Sequence, residues 1–129
     1  VIIPRLENDL IELLVNVKEK NLDNYVLKWK NNFALTVVLA AKGYPENYQS
    51  GDEIIGLENE KNHDDVEIYH AGTTKKNNSI VTSGGRVLNI NGYGESLAEA
   101  RDKAYNLVNR VRWSGYYYRR DIGWRALEE

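Results

Sequence analysis

Two groups of residues in this sequence have the chemistry to hold an anion. Ser83-Gly84-Gly85-Arg86 sets two glycines, which let a backbone turn tightly or come close to a ligand, beside a guanidinium able to pair with phosphate. Taken alone, the segment reads first as a glycine hairpin turn followed by a surface arginine. Tyr116-Tyr117-Tyr118-Arg119-Arg120 sets aromatic rings next to guanidiniums. In an extended segment neighbouring side chains face opposite sides, so Arg119 and Arg120 point apart unless the chain bends, and one is placed to bind while the other braces. An edge strand with buried tyrosine faces and solvated arginines describes the same residues.

His63 and His70 are the groups that titrate near neutrality, so a proton-transfer role would fall to one of them. His70 follows Val66 and Ile68 at strand spacing and reads as a hydrogen-bonded core histidine first, a ligand contact second. His63-Asp64-Asp65 has the residue types of a metal site but lacks suitably spaced partners, so it reads as a solvated loop. No Ser/His/Asp set, phosphate loop or carboxylate pair is present.

The elements that must position these groups follow from composition and periodicity. A chain of 129 residues, 42% apolar and 28% charged, has one domain's worth of core and needs no disulfide or structural metal to fold. It has no cysteine, which removes thiol chemistry and Cys-type zinc sites. The net charge of −2 argues against a nucleic-acid or membrane-surface partner. No apolar run is long enough to span a bilayer. The absence of methionine, and the start at Val1-Ile2-Ile3-Pro4, point to a fragment or processed product.

Leu6, Leu10, Ile11, Leu13, Leu14 and Val17 recur at helical spacing, with a helix end at Lys18-Glu19-Lys20-Asn21 and a boundary near residue 22. The alternation of Tyr25, Leu27 and Trp29, with turn residues Lys30-Asn31-Asn32, predicts a hairpin with the strand over residues 33–41. Short strands are expected at 53–57, 66–71, 80–82 and 86–90, joined by polar loops at 58–65 and 72–79 into an antiparallel meander. Ser96-Leu97-Ala98-Glu99 is a capping box, and Leu97, Ala100, Ala104, Leu107, Val108 and Val111 form the stripe of a second helix that ends near Trp113-Ser114-Gly115 and closes the core.

Read in order, these segments resemble the C-terminal part of the phosphoribosylamine-glycine ligases, the glycinamide ribonucleotide synthetases of purine biosynthesis. The likeness is carried by Pro4-Arg5-Leu6 with Asp9-Leu10, Val37-Val38-Leu39-Ala40-Ala41-Lys42-Gly43-Tyr44-Pro45, His70-Ala71-Gly72-Thr73, Thr82-Ser83-Gly84-Gly85-Arg86-Val87-Leu88, residues 100–105, and Tyr117-Tyr118-Arg119-Arg120-Asp121-Ile122-Gly123. It covers nearly the whole chain. Glu46 departs from the glycine expected after the Tyr-Pro pair and affects one turn.

The resemblance implies an ATP-grasp ligase that joins glycine to 5-phosphoribosylamine through an acyl phosphate made with ATP. It implies an α+β fold, a small antiparallel β-rich closing domain of barrel or sandwich form and rudiment single hybrid type with one long packed helix. Residues 1–22 would be the terminal helix of an upstream ATP-grasp domain and residues 23–129 the C-terminal domain. ATP and magnesium or manganese would be held by the full-length cytoplasmic enzyme and not by this piece, which would not catalyse alone. Arg86, Arg119, Arg120, Gly84 and Gly85 would bind substrate phosphate, with Asp121 and His70 in support. The alternative is a non-catalytic structural or interaction domain of a larger ATP-grasp protein.

Overall fold

The computed structural model describes residues 1–57 and 65–128, so His63 and Asp64 lie outside the described residues. The chain divides into two compact units, Val1–Asn32 and Phe33–Glu129.

In the first unit, helix α1 spans Leu10–Lys18, with the Asp9 carboxylate accepting from the backbone N–H of Ile11 at 2.7 Å and of Glu12 at 3.0 Å. That cap starts the helix after Leu6, which the sequence pattern had included. Leu6 instead bridges Trp29 in antiparallel fashion. The Glu7 and Lys30 amides donate to Lys28 and Arg5 carbonyls, and the Asn8 side chain accepts from the Lys28 amide at 2.6 Å. Residues 28–30 are therefore paired with 5–8, and the expected hairpin with residues 33–41 does not form. For the same reason the compact unit closes at Asn32, beyond the boundary read near residue 22. Ile11, Leu14, Val15 and Val17 of α1 are exposed.

The second unit is an α+β domain. Its strands are β1 Phe33–Ala40, β2 Val66–His70, β3 Thr73–Lys76, β4 Ser79–Thr82 and β5 Arg86–Gly94, and its helices are α2 Leu97–Val108 and the short α3 Trp124–Leu127. β5 is central, antiparallel to β1 on one side and β2 on the other, while β3 and β4 form a separate two-stranded ribbon. The segment read as a strand at 53–57 contributes only isolated bridges, Glu53 to Val81 and Ile55 to Arg112. β3 occupies part of the expected loop, because Thr73-Thr74-Lys75-Lys76 is too polar to carry a burial signal.

Leu35, Val37 and Leu39 of β1 share one sheet face with Leu88 and Ile90 of β5, and all are buried with Ala100, Ala104, Leu107 and Val108 of α2. Burying such side chains contributes roughly 1.5–3 kcal/mol each, so this layer is the main stabilising contact of the domain. The cap forms at Ser96, whose Oγ accepts from the Glu99 amide at 3.1 Å, while Glu99 Oε2 accepts from the Glu95 amide, one residue before the cap, at 2.8 Å. The helix stops at Val108, short of the expected end, and Val111 enters the core from the following extended segment. Among the described residues no helix is long and apolar enough to cross a membrane.

Candidate functional site

Arg86 reaches its position through a break in register. By alternation it would share the helix-covered face with Leu88 and Ile90. Between Leu39 and Ala40 the ladder shifts, so Leu39 is opposite Leu88 but Ala40 is opposite Arg86. A bulge of this kind re-aims the side chains beyond it. Arg86 thus joins Thr36, Val38 and Ala40 on the opposite face, where they line one groove of about 280 Å³.

The other wall of that groove is the aromatic-arginine segment. Ala40 and Tyr117 exchange backbone hydrogen bonds at 2.8 and 2.9 Å, which ties the segment to the end of β1. Tyr117, Tyr118, Arg119 and Ile122 face the groove, and Tyr44 closes its end. Arg119 is held there by Asp121 through two hydrogen bonds, Nε to Oδ1 at 2.9 Å and Nη2 to Oδ2 at 2.7 Å. The hydrogen bond from Arg119 holds the Asp121 carboxyl below its ordinary value, and the same bond raises the arginine. Because Nη1 takes no part in the pair, the guanidinium keeps donors for an anion.

Arg120 does not line this groove. It points along α2 into a neighbouring hollow of about 290 Å³ with Arg101, Asp102, Tyr105 and Asn109, its guanidinium carbon 5.9 Å from the Tyr118 ring centroid. Arg119 and Arg120 do share a broader open hollow of about 700 Å³ along residues 116–121. Of the three arginines, Arg86 and Arg119 line the same half-open, largely apolar groove.

Gly84 and Gly85 act by close approach and not by turn geometry. Neither has a positive φ, and they do not join a hairpin, because β4 pairs with β3 while β5 pairs with β1 and β2. The Gly72 amide donates to the Arg86 carbonyl and the Ser83 amide to the Gly72 carbonyl, both at 2.8 Å. A Cβ on Gly72 would lie 2.6 Å from that Arg86 oxygen, and one on Gly84 would lie 3.0 Å from the Gly72 Cα. A Cβ on Gly85 would overlap the Tyr44 ring, 2.7 Å from its Cε2. These glycines let the backbone on both sides of Arg86 pack at contact distance.

His70 is exposed, and its Nδ1 lies 3.0 Å from Thr73 Oγ1, so the core reading is wrong. It is the last residue of β2, opposite Leu88, and the strand ends there. Among the described residues no cluster of three or more His, Cys, Asp or Glu is arranged to hold a metal ion. Sequence reasoning missed Tyr44 and Tyr105. The Tyr105 hydroxyl, from α2, donates to the Arg119 carbonyl at 2.7 Å and accepts from the Ile122 amide at 3.2 Å. Its only sequence signal was its place within residues 100–105 of the resemblance.

A small α+β domain with antiparallel sheets, a single long helix and an arginine-lined groove defines the class. Residues 34–125 match the family model described as phosphoribosylglycinamide synthetase, C domain, and the chain belongs to that family. It is 44% identical over 128 residues to the phosphoribosylamine-glycine ligase of Brucella melitensis, covering 99% of this chain and 30% of that protein. It is 46% identical to a bifunctional purine biosynthetic protein of Dictyostelium discoideum, covering 98% of this chain and 16% of that one. The crystal structure of phosphoribosylamine-glycine ligase from Thermotoga maritima is similar with a TM-score of 0.65 and 38% identity, over 84% of this chain and 27% of that chain. The chain therefore spans less than a third of the length of these relatives.

Proposed function

We propose that this chain is the closing C-terminal domain of an ATP-dependent ligase that joins glycine to 5-phosphoribosylamine, giving glycinamide ribonucleotide, ADP and phosphate in purine synthesis in the cytoplasm. The family membership supports the ligase reading. The observation that carries the domain's role is the convergence of Arg86 and Arg119 on one groove. A dianionic phosphate rewards planar guanidinium donors, and Asp121 pre-sets one of them, so the 5′-phosphate of the ribosyl substrate is the group these two arginines suit, while the groove surface between them is almost wholly apolar. Asp121 acts by orienting Arg119, because its own charge would repel the anion. Arg120 flanks the site, and Gly84 and Gly85 shape the backbone under Arg86, whereas His70, in contact with Thr73, does not line the groove.

ATP and its magnesium or manganese belong, on this reading, to an ATP-grasp domain elsewhere in the full-length protein. Among the described residues no three His, Cys, Asp or Glu side chains are grouped to hold a metal ion. The exposed apolar side chains of α1 support assigning that helix to the end of the ATP-grasp domain. The domain itself is taken as the barrel-like, rudiment single hybrid type.

Steady-state kinetics of arginine-to-alanine variants in the full-length ligase test the proposal. A charge-assisted contact worth about 1.5–3 kcal/mol predicts a rise of roughly ten- to 150-fold in KM for the phosphoribosyl substrate in Arg86→Ala and Arg119→Ala, with the glycine and ATP constants nearly unchanged. Unchanged values in both variants reduce the groove to scaffold and favour the structural-domain alternative.

A further inference from the structure

We infer that Tyr105 is the positioning residue of the phosphate groove, holding the Arg119 loop in place from helix α2; the inference rests on the reading of Arg119 given above. The hydroxyl bridges the loop on both sides of the arginine pair. It donates to the Arg119 carbonyl at 2.7 Å and accepts from the Ile122 amide at 3.2 Å. The residues between those two points include Asp121, the partner of the Arg119 guanidinium. One oxygen atom on a regular helix thereby fixes the backbone of the residue that reaches the anion and of the loop that orients it.

The ring that carries this oxygen is itself immobilised. It packs against Tyr118 with centroids 6.2 Å apart, and the Arg101 guanidinium carbon sits over the ring at 5.4 Å from its centroid. Tyr118 continues to Tyr116 at 5.9 Å, and Tyr116 to the buried Trp113 at 5.7 Å. The loop is thus tied to the core by an aromatic row and to the helix by the Tyr105 hydroxyl. The Ala40–Tyr117 bridge and the Tyr118 hydroxyl, which donates to Asn109 at 3.3 Å, tether the segment before Arg119; beyond it Ile122 packs against the core and its amide is held by Tyr105. A guanidinium on a loose loop must be ordered when the anion binds, and that ordering subtracts from affinity. Tyr105 removes that cost beforehand by ordering the loop from the helix.

The test is a double-mutant cycle in the full-length ligase, reading KM separately for the phosphoribosyl substrate, glycine and ATP. Tyr105→Phe keeps the ring and removes the oxygen. It is expected to raise KM for the phosphoribosyl substrate about three- to tenfold, with kcat and the other two constants unchanged. In an Arg119→Ala background the same change is expected to add nothing, because its effect passes through the arginine. Ala104→Gly, which weakens the same helix without touching the loop, is expected to leave all three constants alone. The inference is overturned by additive effects, by a shift shared with ATP or glycine, by an equal shift in Ala104→Gly, or by an unchanged Tyr105→Phe beside an impaired Arg119→Ala. An unchanged Arg119→Ala overturns the phosphate reading itself and this inference with it.

Discussion

Arg119 and Asp121 meet in a two-point pair across a single intervening residue, with both bonds under 3.0 Å. The pair depresses the Asp121 carboxyl. A carboxylate lowered in this way contributes at all pH values above its unfolded value and loses its contribution only as pH falls through the lower, folded one. Carboxyl NMR of Asp121 is therefore expected to titrate below the ordinary aspartate range, and KM for the phosphoribosyl substrate to show no inflection from this group between pH 5 and 9. Asp121→Asn, which keeps the shape but not the charge, is expected to raise that KM several-fold. An Asp121 midpoint at or above about 4 would mean the pair does not persist in solution.

The glycines near Arg86 give a graded prediction. A Cβ on Gly72 meets backbone, which cannot step aside, whereas one on Gly85 meets the Tyr44 ring, which can rotate. Gly72→Ala is expected to cost about 1–3 kcal/mol by overpacking and Gly85→Ala less, both read from denaturant midpoints. Gly85→Ala is also expected to displace Tyr44 and so change the groove. Equal stability of the two variants would show that the Gly72–Gly84 contact is not tight.

How far the sequence carried this architecture depended on the range of the interactions. Helix α2 was legible because its cap and stripe are local to residues 96–108, and β4 and the start of β5 because apolar runs mark them. The pairing of residues 28–30 with 5–8 was not, since it joins segments some 20 residues apart through backbone bonds and the Asn8 side chain reaching across to the Lys28 amide. His70 looked apolar by alternation, but alternation says nothing about where a strand runs out of cover. Arg119 and Arg86 stood out as residue types. That a bulge aims Arg86 to the groove, and that Tyr105 bonds a loop 14 residues further on, are relations between distant segments that no local pattern reports.

The isolated 129-residue chain is expected to bind ATP-magnesium too weakly to register by isothermal titration at millimolar nucleotide. The described residues supply arginines but no carboxylate cluster for the metal that accompanies a triphosphate. Clear heat of binding to this chain alone would place nucleotide contacts within it.

The last prediction concerns the face of the three-stranded sheet opposite α2. Tyr93 Oη donates to Glu67 Oε2 at 2.5 Å and accepts from Asn91 Nδ2 at 3.2 Å, and Tyr69 donates to the same Glu67 oxygen at 2.5 Å. Asn91 is buried and in turn accepts from Thr36, a residue of the groove. Burial, followed by the Glu67 hydrogen bond, raises the Tyr93 phenol well above its ordinary value of 10.0. A raised phenol favours the neutral form in the folded state, so its contribution is complete below pH 10 and is lost as pH rises through the unfolded value toward the folded one. The domain is therefore expected to lose stability above about pH 10, and Tyr93→Phe to flatten that loss. At neutral pH the same variant is expected to cost about 1–3 kcal/mol, because Glu67 and Asn91 lose a partner in a half-buried network. Thermal melts of the two proteins from pH 7 to 11 measure both effects. Parallel pH curves would show that Tyr93 ionises no differently folded than unfolded.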